Sequence, residues 1–241
     1  MTAKTPSQEA GPAVPERPRR KRHLLRWILV GLAALVVLGL AAAMAAVELQ
    51  PVAAPLKLPS SAAAPAGPLA GTWRVTSGSV AGFRVQQTFL GATSDVAGRT
   101  GDVTGAAVVA GDRVVAARVR VGLRALTSNG KSPAPQYGQS LDTGHHPYAT
   151  LTLVRPLPLG AAFATGAPAR ATATARLTLH GVTRDVRIPL IARRDAATTR
   201  IAGRFPVAFA PWNIAQPKGY GALGSLADHG DAEFLLVLRH R

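Results

Sequence analysis

The stretch that decides the fold is Arg113–Arg124, with the sequence RVVAARVRVGLR. Every second residue of its middle part is apolar: Val115, Ala117, Val119, Val121 and Leu123. Arginines share the opposite parity: Arg118, Arg120 and Arg124. Because successive side chains of a strand point to opposite faces, this period of two predicts a β-strand with one dry and one wet face. A helix would scatter the same valines around its circumference.

The same alternation recurs towards the C-terminus, in segments 170–180, 186–190, 201–209 and 234–238. Turn-forming residues separate these segments, and Gly181 in the bend of Leu177–Pro189 predicts a hairpin. In the last segment both faces are apolar, so we expect it to be covered on both sides. Several short strands without a long amphipathic helix are typical of an all-β sandwich or barrel.

Two longer loops interrupt the strands, at 127–148 and 212–230. Both are rich in glycine and proline, and the first has room for a short helical turn. The first loop is too long for a hairpin connection, and insertions of this kind often cover a barrel mouth or a site.

The N-terminal part has a different texture. Residues 1–26 are proline-rich, polar and basic, which predicts a disordered arm. Residues 27–47 carry no charge, and a helix of that length would span about 31 Å, close to the thickness of a bilayer core. We therefore predict a single transmembrane helix over 27–47. The basic flank predicts a plasma-membrane protein with a cytoplasmic N-terminus and an extracytoplasmic C-terminal domain.

A cleaved signal peptide is the alternative, because Ala43-Met44-Ala45 offers a small-x-small cleavage pattern. The long basic region and an apolar run beyond the usual 7–15 residues or so favour a retained anchor. Residues 48–70 hold repeated prolines among alanines, which predicts a semi-rigid spacer before the domain 71–241.

Composition narrows the function. The chain has no cysteine, which excludes disulfides, a cysteine nucleophile and thiolate metal ligands. The net charge is +16, and the chain from Gly71 onward holds 20 Lys+Arg against 9 Asp+Glu. This excess suits an anionic lipid headgroup surface, and an arginine-rich solvated exterior explains it equally well. No basic-aromatic interleaving indicates nucleic-acid binding, so we expect no nucleic-acid partner.

Five motifs in order carry a family resemblance. They are Gly71–Val75, Ser79–Val85, Asp142 with His146–Leu151, Ala175–Arg184 (ARLTLHGVTR) and Asp228–Phe234. In this order and spacing the chain resembles the YceI-like family of lipid-binding proteins over nearly all of 71–239. It departs from the family in its membrane anchor and in Pro147, which precedes Tyr148 and shifts the usual aromatic-proline order.

The resemblance implies an all-β fold, an antiparallel lipocalin-like β-barrel of about eight strands with a short helical insertion. It also implies non-covalent binding of a long apolar lipid, such as a polyprenyl quinone or alcohol, in a channel through the barrel. Neither a cofactor nor an enzymatic activity is implied.

Inward parity supplies candidate lining residues for such a ligand. They are Phe83, Val85, Phe89, Ala117, Val119, Val121, Ala173, Ala175, Leu177, Phe205, Val207, Phe209, Phe234 and Leu236. The small residues among them allow a channel, whereas the phenylalanines can fill it, so the sequence leaves an open and a solid barrel in balance. A solid barrel would suit an envelope interaction or stress-response module. Exposed apolar strands would permit a homodimer.

A metal site is not expected near Asp142, His145 and His146. Adjacent histidines on an extended chain point apart, so both rarely bind one ion. We interpret these residues as polar groups of a mouth loop, and His180 as the donor or acceptor of a turn hydrogen bond.

Asp228 and His229 near Ser225 contain the ingredients of a catalytic triad. The chain has no Gly-x-Ser-x-Gly elbow, and a hydrolase needs an oriented base and an oxyanion hole. We therefore expect no catalytic residue, and a hydrolase acting through His229 or His146 stays as the third hypothesis.

Overall fold

A computed structural model describes residues 20–48, 52–60, 64–128, 135–216 and 221–241. Contacts divide the chain into two compact units. The first ends at Leu49 and the second runs from Gln50 to Arg241.

The first unit contains one helix, α1 (Arg20–Glu48). Leucine and alanine dominate it and proline is absent, which favours a long helix. Its side chains from Arg26 to Ala42 are exposed. Among the described residues no helix is long and apolar enough to cross a membrane. The transmembrane span over 27–47 stays a prediction. Of the disordered arm predicted over 1–26, residues 1–19 lie outside the described residues, whereas 20–26 belong to α1.

The second unit is built mainly from strands. In chain order they are β1 (Gly71–Val75), β2 (Val80–Phe89), β3 (Ala92–Thr100), β4 (Val103–Ala110), β5 (Arg113–Gly122), β6 (Thr127–Ser128), β7 (Tyr148–Leu153), β8 (Leu157–Pro158), β9 (Ala169–Leu179), β10 (Val182–Asp195), β11 (Thr198–Ala208), β12 (Gly224–Leu226) and β13 (His229–His240). The helical pieces are α2 (Pro135–Ser140), α3 (Gly160–Ala164) and 3-10 turns at Ala210–Trp212 and Gly221–Leu223. The helical insertion predicted within 127–148 is present as α2.

Eight strands close into a ring, in the order β1-β4-β5-β7-β9-β10-β11-β13, because β13 also pairs with β1. Neighbours in the ring are antiparallel throughout. This confirms the prediction of an antiparallel barrel of about eight strands. The segment 231–235 of β13 pairs with β2, which continues through β3 to β6 and widens the sheet at one end.

The two ends of the barrel differ, and we name them by their turns. The mouth end carries the β9–β10 turn and the start of β13, and the far end carries the β10–β11 turn and the end of β13. At the mouth end His180 and Gly181 both have positive φ, 49° and 74°. A two-residue loop with both φ values positive is the type I′ turn that matches strand twist, so the predicted hairpin is confirmed.

One parity prediction is wrong. Val115 is 44% exposed, although its alternation with Ala117 assigned it to the dry face. The register shifts between Val108 and Val109, so Val109 pairs with Val114 and Val115 becomes the extra residue of a bulge. Val114 packs into the core instead. Val115 lies near Val108 on β4, which is also exposed. The homodimer expected from exposed apolar strands stays a prediction.

Two apolar clusters fill the barrel. The mouth-side cluster contains Ile188, Phe205 and Trp212, and the far-side cluster contains Trp73 and Leu238. Phe234 packs against both clusters, which places it between them.

Residues 52–60 and 64–70 are the described part of the expected spacer, and we call them the strap. The first part lies along the outer wall of the barrel, and the second lies at the far end, where Leu69 packs against the far-side cluster. Arginines of the wall donate to its backbone carbonyls: Arg84 to Ala53, Arg99 to Ala54, Arg193 to Pro59 and Arg194 to Gly67. Near the far end, Ala66 N–H donates to Ala196 O at 3.0 Å. The proline-rich backbone is therefore docked instead of standing free.

Elementary chemistry explains this docking. Extended proline-rich backbone makes no internal hydrogen bonds, so its carbonyls stay available as acceptors. Guanidinium groups carry five donors and no acceptor. The buried Glu233 completes the arrangement: it accepts from Leu56 N–H at 3.1 Å and lies 2.6 Å from the Arg99 guanidinium. Arg84 lies 3.5 Å from the same carboxylate, so the buried charges are paired.

Candidate functional site

An apolar cavity of about 180 Å³ lies under the mouth end. We call it the main cavity. Strands β2, β5, β7, β9, β11 and β13 supply its walls, and the mouth loops supply Leu126, Leu141 and Ile214. Nearly every side chain facing it is a hydrocarbon, so the cavity offers a guest apolar contact and little hydrogen bonding.

Ten of the fourteen candidate residues line the main cavity: Phe83, Val85, Val119, Val121, Leu177, Phe205, Val207, Phe209, Phe234 and Leu236. The other four lie elsewhere. Ala173 and Ala175 are buried in the mouth-side cluster. Ala117 packs against the far-side cluster, and Phe89 lies at the β2–β3 turn, opposite Ala92 and Gly224.

Sequence reasoning missed the lining that comes from the loops. Leu126, Leu141 and Ile214 lie outside the long strands, where strand parity gives no information. Their signal is a bulky aliphatic residue inside an otherwise polar loop. Such residues close a barrel mouth because a solvent-facing position would leave them exposed.

Two glycines set the width of the main cavity. A Cβ at Gly98 would lie 2.3 Å from the Phe83 ring, and a Cβ at Gly203 would lie 2.4 Å from the Phe234 ring. Both distances are far below van der Waals contact. The two rings therefore occupy recesses that bare backbone leaves in the wall, and space in the lumen stays free.

The charged side chains beside the cavity form ion pairs on the outer side of the wall. Asp231 accepts from Arg204 at 2.5 Å, and this hydrogen bond raises the pKa of Arg204 above its usual value. Glu233 is held by the arginines under the strap. Both carboxylates therefore form ion pairs with arginines.

The far end holds a smaller cavity, of about 70 Å³, which shares no lining residue with the main cavity. Trp73 and Phe163, both 3% exposed, fill most of this end. The indole N–H of Trp73 donates to Leu69 O at 2.9 Å, so its polar edge is satisfied by the strap. The main cavity and the far-end cavity are thus distinct in the described residues, with Phe234 packed between the two clusters, and a channel through the barrel stays a prediction.

Polar groups gather at the mouth. Asp142 is hydrogen-bonded by His145 at 2.9 Å, which holds the pKa of that carboxyl below its usual range. His146 and His180 lie with their ring centroids 5.0 Å apart. His180 Nδ1 is hydrogen-bonded to Trp212 O at 3.1 Å, a contact with a distant loop in place of the bond expected within the turn.

The triad ingredients do not assemble. His229 Nδ1 contacts Asp228 at 2.8 Å, and this bond lowers the pKa of Asp228. Ser225 pairs with Thr88 across β12 and β2, whereas His229 pairs with Ala208 across β13 and β11. Within the described residues no hydrogen bond joins Ser225 to His229, so the geometry gives no support to the hydrolase hypothesis.

An antiparallel barrel closed by eight strands, with an apolar cavity under one mouth, defines a lipocalin-like class of protein. Residues 73–237 match the YceI-like domain, and the chain belongs to that family. No curated protein matches the chain.

Several solved structures are similar to this chain. A polyisoprenoid binding domain from Saccharophagus degradans, implicated in plant cell wall breakdown, is similar at 18% identity and a TM-score of 0.53, with 71% of this chain and 99% of that chain covered. BcnA from Burkholderia cenocepacia is 16% identical, with a TM-score of 0.47 and coverage of 65% and 95%. The YceI protein from Campylobacter jejuni is 11% identical, with a TM-score of 0.47 and coverage of 60% and 84%. The likeness to the first of these structures, at 18% identity, is one of fold.

Proposed function

We propose that this protein binds one slim apolar lipid of the polyisoprenoid class in the main cavity, non-covalently and without chemistry. The observation that carries the proposal is the cavity itself, of about 180 Å³ with an almost wholly hydrocarbon lining. Each CH₂ removed from water contributes about 0.8 kcal/mol, so a few prenyl units give useful affinity. Membership of the YceI-like family supports the lipid class.

The size of the cavity sets a limit on this binding. An engineered apolar cavity of roughly 150 Å³ stays dry and takes a benzene-sized guest. A volume of about 180 Å³ therefore holds a segment of a prenyl chain, and a longer chain requires the mouth loops around Leu141 and Ile214 to move apart.

A substitution that fills the main cavity tests the proposal. Ala149 on β7 faces the cavity, and Thr152 on the same strand is exposed. We expect Ala149→Phe to abolish the retention of lipid and Thr152→Phe to leave it intact. The measurement is mass spectrometry of solvent extracts from the purified chain, followed by melting of delipidated protein with added polyprenol. A ligand at 100 times its Kd should add about 2.7 kcal/mol to the parent.

The outcome against the proposal is concrete. Parent protein that yields no apolar molecule on extraction, and whose melting temperature added polyprenol does not raise, does not bind this class of lipid. Equal retention by Ala149→Phe and parent would place the lipid outside the main cavity.

We also propose that binding takes place at the outer face of the plasma membrane. The uncharged run 27–47 and the arginines preceding it support an anchor with a cytoplasmic N-terminus. The test is extraction of membranes at alkaline pH. The parent should stay with the membrane, and Leu35→Arg combined with Val36→Arg should release it, because each charge at mid-bilayer costs about 2.5–3.5 kcal/mol. Glu48→Arg, which lies outside the run, is the matched control. A parent chain released by alkali has no anchor.

A further inference from the structure

Three side chains at the mouth have no part in the proposed lipid binding: Asp142, His146 and His180. Asp142 and His146 lie in the loop between α2 and β7, and His180 lies in the β9–β10 turn. One ligand-capable atom from each side chain lies within 4.8 Å of the other two. The fold thus brings together residues separated by more than thirty positions.

Backbone contacts hold the first two in place. Asp142 O accepts from His146 N–H at 2.8 Å, which closes the loop and sets both side chains on the same side. Gly181 makes room for the imidazole of His146, because a Cβ there would lie 2.8 Å from its Cε1 atom. A side chain at this position would displace the ring from the cluster.

The third side chain is oriented by a carbonyl. Trp212 O accepts a hydrogen bond at 3.1 Å from His180 Nδ1, and a carbonyl can only accept. Nδ1 therefore carries the proton, and Nε2 keeps its lone pair. Histidines that bind metal ions generally donate their second ring N–H in this way, to a carbonyl or a carboxylate.

We propose that Asp142, His146 and His180 form a binding site for a divalent transition-metal ion of the Zn²⁺ class, beside the mouth of the main cavity. Two imidazole nitrogens and one carboxylate oxygen are a donor set that Zn²⁺ and its neighbours prefer, and three protein ligands leave one position open. The site stands independently of lipid binding.

The geometry requires a modest closure. Metal bonds of about 2.0–2.2 Å bring tetrahedral ligand atoms to about 3.4 Å from one another. The ligand atoms now lie within 4.8 Å of one another. All three residues are half-buried, and rotation of their side chains covers the remaining difference. His145, whose side chain is 85% exposed, touches both oxygens of Asp142 at 2.9 and 3.0 Å. When a metal ion binds, His145 keeps its contact with one oxygen of Asp142, and the other oxygen becomes the metal ligand.

The first test is a titration of the full chain, purified without a histidine tag and stripped by chelator, with Zn²⁺ and with Co²⁺ as an absorbing probe. We expect one ion per chain and the intense visible absorption of four-coordinate Co²⁺. His146→Ala should weaken binding at least tenfold. His229→Ala is the matched control, because this exposed histidine of the mouth end lies outside the cluster, and it should leave metal binding unchanged.

Two further variants protect the test from misfolding. Asp142 and His180 have positive φ, 43° and 49°, a conformation that asparagine tolerates. Asp142→Asn and His180→Asn should therefore keep the fold, shown by an unchanged circular dichroism spectrum. Both should lose the rise in melting temperature that Zn²⁺ gives the parent. A parent that binds no ion, or one whose binding His146→Ala and His180→Asn leave unchanged, overturns the proposal.

Discussion

The two ends of the barrel are made from the same eight strands and differ in what fills them. At the far end Trp73 and Phe163 enter the lumen and leave about 70 Å³, whereas the mouth end keeps about 180 Å³. A barrel of eight strands is just wide enough for packed side chains or one slim guest. A few large or absent side chains therefore decide which half is packed and which half keeps the larger cavity.

The largest effect should come from emptying the filled end. We expect Trp73→Ala to lower the free energy of unfolding by about 3–5 kcal/mol, because it removes a buried indole and leaves a void. Urea unfolding measures the loss. Lipid retention by the folded fraction should persist, since Trp73 does not line the main cavity. A loss below 1 kcal/mol would show that the far end contributes little to stability.

A second substitution tests the outer wall of the barrel, apart from both ends. Glu233→Gln keeps the shape of a fully buried side chain and removes its charge, leaving Arg84 and Arg99 without their shared partner. We expect a cost of about 1.5–3 kcal/mol, the range for hydrogen bonds to charged groups. Proteolysis within the strap should become faster, with Asp112→Asn, an exposed acid, as the control. An unchanged cleavage rate would mean that this cluster does not hold the strap.

Making the mouth end resemble the far end should have a moderate effect. Gly203→Ala forces the Phe234 ring out of its recess and into the main cavity. We expect a loss of about 1–3 kcal/mol from overpacking, together with weaker lipid retention. Adding Phe234→Leu should recover both, which a double-mutant cycle measures. If the two substitutions are additive, the recess does not set the width of the cavity.

The smallest effect concerns acid. His229 lowers the pKa of Asp228, so their contact contributes stability that is present above pH 3.8 and is lost as the pH falls through the lower, folded value. Because the pair is exposed, we expect a slight loosening of the mouth end below about pH 4, seen as faster amide exchange at the start of β13. Asp228→Asn should show that faster exchange already at pH 6. Equal acid sensitivity of parent and Asp228→Asn would contradict this assignment.

The sequence predicted the barrel wall well because parity is a local property. Val119, Val121 and Leu177 are inward in the structure as their alternation required. The prediction from parity failed at Val115 because a bulge depends on the partner strand, and no feature of β5 alone indicates the bulge.

The mouth was harder to predict. Leu141 and Ile214 line the cavity from loops, which have no fixed period. The sequence presented the polar cluster as a pair of adjacent histidines, of which only His146 is a member, while His145 contacts Asp142 from the exposed side. Its third member, His180, is brought in only by the β9–β10 turn. The docked strap was missed for a similar reason: proline predicts extended backbone, and the arginines that hold it are distant in sequence.

The arginines under the strap also change how the charge of the protein should be understood. Arg84, Arg193 and Arg194 are buried, and Arg99 is nearly so, with their donors turned to backbone carbonyls and Glu233. A headgroup surface gains about 1 kcal/mol from each lysine or arginine that reaches it. Counting all cations from Gly71 onward would thus overstate adsorption to anionic vesicles by up to about 4 kcal/mol. Adsorption should accordingly weaken less steeply with ionic strength than the formal charge implies, since these four guanidinium groups have no surface counterions to release.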